Sequence, residues 1–232
     1  MPDTNTVSLE SARAGALSTL PVALSVFTYG AVYGLLTSNA GLSLWEAVFS
    51  SGLVFAGSAQ FVALDMWTHP LPVGALILTT AIVNLRHVLM SATLSPWLRG
   101  VPARRRFPLL FFLVDESWAL TYGALSKGRA DIGFLLGSGV TLWSAWLAAT
   151  LAGRFAGASI PNPELWGLDF AFTAVFLALL AGIWRGRRDI PAWLIAAVVA
   201  LAMYWLVPGK WYIVGGGLAG SLTGLWRCPR AS

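Results

Sequence analysis

Charge is what this chain has least of. Only 11% of its 232 residues are Asp, Glu, Lys or Arg, whereas 57% are hydrophobic. A soluble domain carries about a quarter charged residues, so the shortage excludes a water-soluble globular fold and leaves the bilayer as the suitable solvent. Cysteine is nearly absent too. Cys228 stands alone, which excludes an intrachain disulfide. The start of the chain lacks the basic residues and apolar run of a signal peptide, because residues 1–16 set Asp3 and Glu10 against a single Arg13. The net charge of +5 is no nucleic-acid signal, since the basic residues fall in short loops between apolar segments, as topology determinants do.

What is there is one apolar segment after another. Spans are expected at residues 17–36, 45–64, 71–94, 107–125, 132–153 and 168–184. Two shorter apolar segments follow at 191–207 and 211–226, each marginal against a hydrocarbon core about 30 Å thick. The fold class is therefore all-α, a polytopic membrane bundle of seven or eight transmembrane helices. Residues 1–16 form a polar N-terminal tail, 17–226 the transmembrane domain and 227–232 a C-terminal tail. Counted over eight-span loops, Lys and Arg divide too evenly to set orientation. Glycine pairs at Gly30/Gly34 and Gly133/Gly137, with Gly216, Gly220 and Gly224, mark faces where helices approach closely. Their number predicts a helical partner as well as internal packing.

Three polar patches interrupt the apolar runs. Gly57-Ser58-Ala59-Gln60-Phe61 lies inside the second span, where Gly57 invites a discontinuous helix and Gln60 brings an amide that needs partners in lipid. A small-residue packing contact explains the same patch equally well. Asn84-Leu85-Arg86-His87 lies deep in the third span, and an arginine there costs roughly 2.5–3.5 kcal/mol on translocon scales. Asp115-Glu116 sits at the centre of the fourth. The loop of residues 95–106, carrying Arg99, Arg104, Arg105 and Arg106, joins the third and fourth spans as a hairpin. Asp115 is as far in from that loop as Arg86, about 12 Å at 1.5 Å per residue, so the arginine and a carboxylate should meet. Adjacent residues point about 100° apart on a helix, so one carboxylate pairs with Arg86 and the other is left for another task. A purely structural ion pair is the alternative.

Gly-Ser-Ala-Gln-Phe, Asn-Leu-Arg-His and Asp-Glu, in this order and spacing, resemble the AzlC-type branched-chain amino acid exporter family over roughly residues 15–205. Met90 departs from the tyrosine more usual three residues after the histidine. The resemblance implies the large subunit of an inner-membrane exporter of branched-chain amino acids, working with a small subunit of about four helices. Substrate-binding or coupling residues are then Gly57, Ser58, Gln60, Asn84, Arg86, His87, Asp115 and Glu116, with no catalytic residue, cofactor or metal. The phosphate-binding loop Gly-xxxx-Gly-Lys-Ser/Thr is missing, so an ion gradient, most simply protons, supplies the energy. Two rivals stand beside the transporter. One is a passive channel. The other is an intramembrane hydrolase with Ser58 as nucleophile and His87 as base, which needs the two within hydrogen-bond reach. Straight helices would place them about 10 and 24 Å from one membrane face, so only a break at Gly57 could join them.

Overall fold

The computed structural model describes residues 7–158, 177, 186–187, 189–207 and 211–227. Apart from Leu177, the predicted sixth span lies outside them. Every described element is helical: α1 (Leu9–Asn39), α2 (Leu44–Phe49) running on into a π-helical turn (Ser50–Val54), α3 (Gly57–Asp65), α4 (Val73–Leu98), α5 (Ala103–Phe111), α6 (Asp115–Ser126), α7 (Gly133–Ala158), α8 (Ile190–Leu206) and α9 (Trp211–Arg227). Three of them, α1, α4 and α7, are long and apolar enough to cross a membrane.

The central pair is α1 with α7. Gly15 faces Phe134, Gly30 faces Ala149 and Trp146, and Gly34 faces Thr150, while Gly137 faces Ala12 and Gly153 faces Ala31. Residue numbers rise together along both helices, so they run parallel. A Cβ at Gly34 or Gly137 would collide with a facing backbone carbonyl, so only glycine permits this approach. Asp131 ties the two helix starts together. Its Oδ1 accepts the amides of Gly133 at 2.7 Å and Ser8 at 3.3 Å, and its own amide donates to Ser11 Oγ at 3.0 Å. At the far end Arg154, inside α7 rather than in the loop where the sequence places it, donates to Ser38 Oγ and to the Leu42 carbonyl. Gly216 and Gly220 pack against Ala196 and Ala200 of α8, and Gly224 meets nothing within 4 Å. Most of the glycine faces that predicted a partner are thus used inside the chain.

Residues 45–64 do not form the expected span. Gln60 Nε2 donates to Ser50 Oγ at 3.1 Å and Ser51 Oγ at 3.4 Å, positions that a straight helix would hold about 15 Å apart. The chain therefore reverses, and α3 returns toward the face from which α2 entered. The reversal is Phe55-Ala56, with Phe55 in the left-handed region at φ 44°, a conformation costing an L residue about 1–2 kcal/mol. Burial of Phe55, whose ring centroid lies 6.1 Å from that of Phe111, offsets the cost. The freed backbone finds side chains: Gln60 Oε1 accepts the Ala56 amide at 3.2 Å, and Trp143 Nε1 donates to the Gly52 carbonyl at 3.0 Å. A break at membrane depth needs such cover.

Residues 107–125, also expected as a span, reverse from the opposite face. α6 runs alongside and parallel to α4: Trp118 Nε1 donates to Thr93 Oγ1 at 2.8 Å, and one turn on Tyr122 meets Trp97 edge-on at 5.9 Å. Leu98 and Leu125 share a core cluster with Ile132 and Leu135 at the start of α7. Arg104 and Arg105, on the first turn of α5 rather than in a loop, share a cleft with Val7 and Leu136. Both ends of this hairpin therefore lie where α1 and α7 begin, and α4 crosses in the opposite sense to α1. Ser117 serves the reversal, its Oγ accepting the Val114 amide at 2.9 Å and lying 2.8 Å from the Phe112 carbonyl.

An internal repeat results. α1 ends at Asn39 and α4 at Leu98; α2 begins at Leu44 and α5 at Ala103; α3 begins at Gly57 and α6 at Asp115. The spacing is constant to within one residue. Because α4 runs against α1, the two units are inverted, an arrangement that many transporters share.

Candidate functional site

Both half-helices, α3 and α6, start beside the middle of α4, and Arg86 stands between them. Its Nη1 lies 2.5 Å from Asp115 Oδ2 and its Nη2 donates to Ser58 Oγ at 2.9 Å. One guanidinium thus spans the heads of the two hairpins, a geometry that its forked donors allow and a lysine's point charge does not. The Arg86 and Asp115 side chains keep 36% and 48% of their exposure, so the pair is open to exchange of partners.

The local field follows from the backbone. A helix start carries about half a positive charge and several amides without intrahelical acceptors. In α3 the first helical bond runs from Gln60 N to Ala56 O, and among the described residues no side chain caps the amides of Gly57, Ser58 and Ala59 ahead of it. Two helix starts and a guanidinium make the region electropositive, and Asp115, first residue of α6, compensates it. Asn84 Oδ1 and Arg86 Nε are buried with no hydrogen-bond partner. A buried polar atom left so costs about 1–3 kcal/mol, which a substrate group could recover.

The sequence-selected residues separate into groups. Ser58, Arg86 and Asp115 meet directly. Gly57 opens α3 beneath Trp146, whose ring would lie 3.2 Å from a Cβ at that position. Gln60 is buried in the core, and its amide clasps the α2–α3 reversal rather than facing the open pair. Asn84 and His87 share a face of α4, with His87 Nδ1 3.2 Å from the Asn84 carbonyl. Glu116 is half-buried and takes no part in the Arg86 pair. No hydrogen bond joins Ser58 to His87 among the described residues, and the Ser58 hydroxyl is engaged by Arg86. The described residues contain no group able to hold a metal ion.

Sequence reasoning missed the support around Gln60. Tyr33 Oη lies 2.5 Å from Ser50 Oγ, and Ser51 Oγ lies 2.8 Å from Thr150 Oγ1. This chain of hydroxyls joins α1, the π-helical turn and α7 to the hairpin. Adjacent serines in an apolar run were the available signal.

The AzlC protein family model matches residues 21–160, which hold both hairpins, all of α4 and α7, and α1 from residue 21 onward. An uncharacterized membrane protein of Archaeoglobus fulgidus is 30% identical over 92% of this chain and 94% of its own length. The branched-chain amino acid transport protein AzlC of Bacillus subtilis is 30% identical over 87% of this chain and 79% of its own length. The inner membrane protein YgaZ of Escherichia coli is 26% identical over 91% and 88% respectively. No solved structure matches.

Proposed function

This chain belongs to the AzlC family of membrane transport proteins, and from that premise we propose that it is a secondary transporter exporting branched-chain amino acids across the cytoplasmic membrane. The observation that carries the reading is Arg86 bridging Ser58 and Asp115 between two half-helix starts. A zwitterionic amino acid brings one negative and one positive group, and this pair offers a complement to each at one depth. Substrate enters by replacing the internal pair. Its carboxylate takes Arg86 and the uncapped amides at the head of α3, as anions do at helix starts. Its ammonium takes Asp115 and the otherwise unpartnered Asn84 Oδ1. Aliphatic side chains of the surrounding helices hold the branched tail. Glu116 or His87 takes up the coupling proton, histidine being the group that titrates nearest physiological pH. A small membrane subunit of about four helices remains part of the proposal on the family resemblance alone.

Counterflow in proteoliposomes tests this reading. Vesicles preloaded with unlabelled leucine, isoleucine or valine should accumulate labelled leucine transiently, with and without the small subunit, whereas glutamate or lysine preloads should not. An imposed pH gradient should change the extent. Absence of counterflow with every aliphatic amino acid, in the presence of the partner, overturns the substrate assignment. Flux indifferent to the pH gradient overturns proton coupling and favours the passive channel.

A further inference from the structure

We propose that the two hairpins are the two gates of an alternating-access cycle, with α5–α6 closing the cytoplasmic side, α2–α3 closing the outer side, and Arg86 latching both. The first support is topological. Each hairpin dips in from one face and returns to it, so each covers the path to the middle of α4 from one side only. They meet tip to tip, where Phe55 and Phe111 pack at 6.1 Å. Each tip is joined to Arg86 by one polar contact, Ser58 for α2–α3 and Asp115 for α5–α6. Opening toward one face needs one of these contacts to break while the other holds.

The latch is asymmetric within a symmetric frame. By the spacing of the repeat, the counterpart of Arg86 on α1 falls at Phe27 or Thr28, and Thr28 spends its hydroxyl on the Leu24 carbonyl. A single charge therefore serves two related gates, so the same guanidinium is contested by both.

The sides follow from the hairpins. With two reversals in place of two spans, Arg99, Arg104, Arg105, Arg106, Lys127 and Arg129 all lie at the face where α1 begins, and Arg13 stands near it on the second turn of α1. The connections described at the other face between α1 and α7, residues 40–43 and 66–72, contain no Lys or Arg, and Arg154 there is taken up by Ser38 and Leu42. Basic residues gather on the cytoplasmic side of short loops, which places the α5–α6 gate inside. An imbalance invisible in an eight-span count thus appears once the described residues are traced from α1 to α7.

Cysteine accessibility tests the gates without any amino acid, so its outcome is independent of the substrate assignment. On a Cys228→Ser background, Ala56→Cys marks one tip and Val114→Cys the other, and an impermeant thiol reagent is applied to right-side-out and to inside-out vesicles. Asp115→Asn should raise labelling of Val114→Cys about tenfold from the cytoplasmic face only, the effect expected for loss of a charge-assisted hydrogen bond. Ser58→Ala should raise labelling of Ala56→Cys from the outer face only. Ser58→Thr, which keeps the hydroxyl, should restore the low level and separates latching from misfolding. Labelling that is unchanged in both variants, or that rises equally from both faces, overturns the gating. Rises from the reversed faces overturn the orientation.

Discussion

Arg86 donates to Ser58 with one terminal nitrogen and pairs with Asp115 through the other, so a single side chain joins residues brought in by two separate hairpins. Arg86→Lys keeps the charge but replaces two terminal nitrogens in a fixed fork by a single one, so it cannot hold both partners in their present positions. Each lost charge-assisted contact weakens binding by about 1.5–3 kcal/mol, so transport should fall at least tenfold at unchanged protein abundance. Initial rates in vesicles, normalised by immunoblot, measure this. A variant with wild-type rates would remove the fork from the mechanism.

Gly57 opens α3 against the edge of the Trp146 ring, which would sit 3.2 Å from an added Cβ. Alanine needs only a small shift of that ring. Leucine pushes a branched side chain into it and moves the head of the half-helix. Gly57→Ala should retain partial transport and Gly57→Leu none, both at normal insertion by protease protection. Equal activity in the two would show that the helix head is not part of the site.

Gln60 holds the α2–α3 reversal with three hydrogen bonds, to Ala56, Ser50 and Ser51. Gln60→Leu leaves the buried Ala56 amide without an acceptor, at about 1–3 kcal/mol. Melting temperature in detergent should drop by several degrees, and residual transport should fall with it. Gln60→Glu keeps an acceptor for Ala56 and should lose less stability. A Leu variant as stable as wild type would show that the π-helical turn holds itself.

The parallel contact of α1 with α7 sets a control pair of glycines. Gly137 lies against the Ala12 carbonyl, whereas Gly224 meets nothing within 4 Å. Gly137→Val should prevent stable accumulation of the protein, and Gly224→Val should be tolerated within about half a kcal/mol, as at an unconstrained surface site. If Gly224→Val abolishes transport without unfolding the chain, that face is an interface with another subunit.

Asp115 and Glu116 are neighbours with different surroundings, one bound to Arg86 and the other outside that pair. Asp115→Asn removes the compensation for the guanidinium and for two helix starts, so it should disturb substrate affinity or folding. Glu116→Gln should leave binding largely intact and flatten the pH dependence of export. Counterflow at several pH values, with both variants side by side, separates the roles. Wild-type profiles in both variants would sink the proposed exchange.

The amino-acid sequence by itself determined the solvent, because so few charges among so many apolar residues suit only a bilayer. It also determined that the polar residues of three patches would have to find one another, since isolated they are costly in lipid, and Arg86 with Asp115 is the result. The spacing of the patches was enough to recognise the family. What the chain does between those patches was decided by tertiary structure. Residues 45–64 and 107–125 are as apolar as a crossing helix, and composition cannot tell a span from a hairpin of equal length. The reversal at Phe55 depends on Gln60 reaching back to Ser50 and Ser51 and on Trp143 reaching across from α7. The second reversal depends on Ser117 and on Gly139, where Phe112 packs against α7. Ser50, Ser51 and Ser117 are close in the chain, but Trp143 and Gly139 come from α7, and no local pattern announces them. For the same reason the inverted repeat is a repeat of backbone geometry without a repeat of side chains, and only the packed structure displays it.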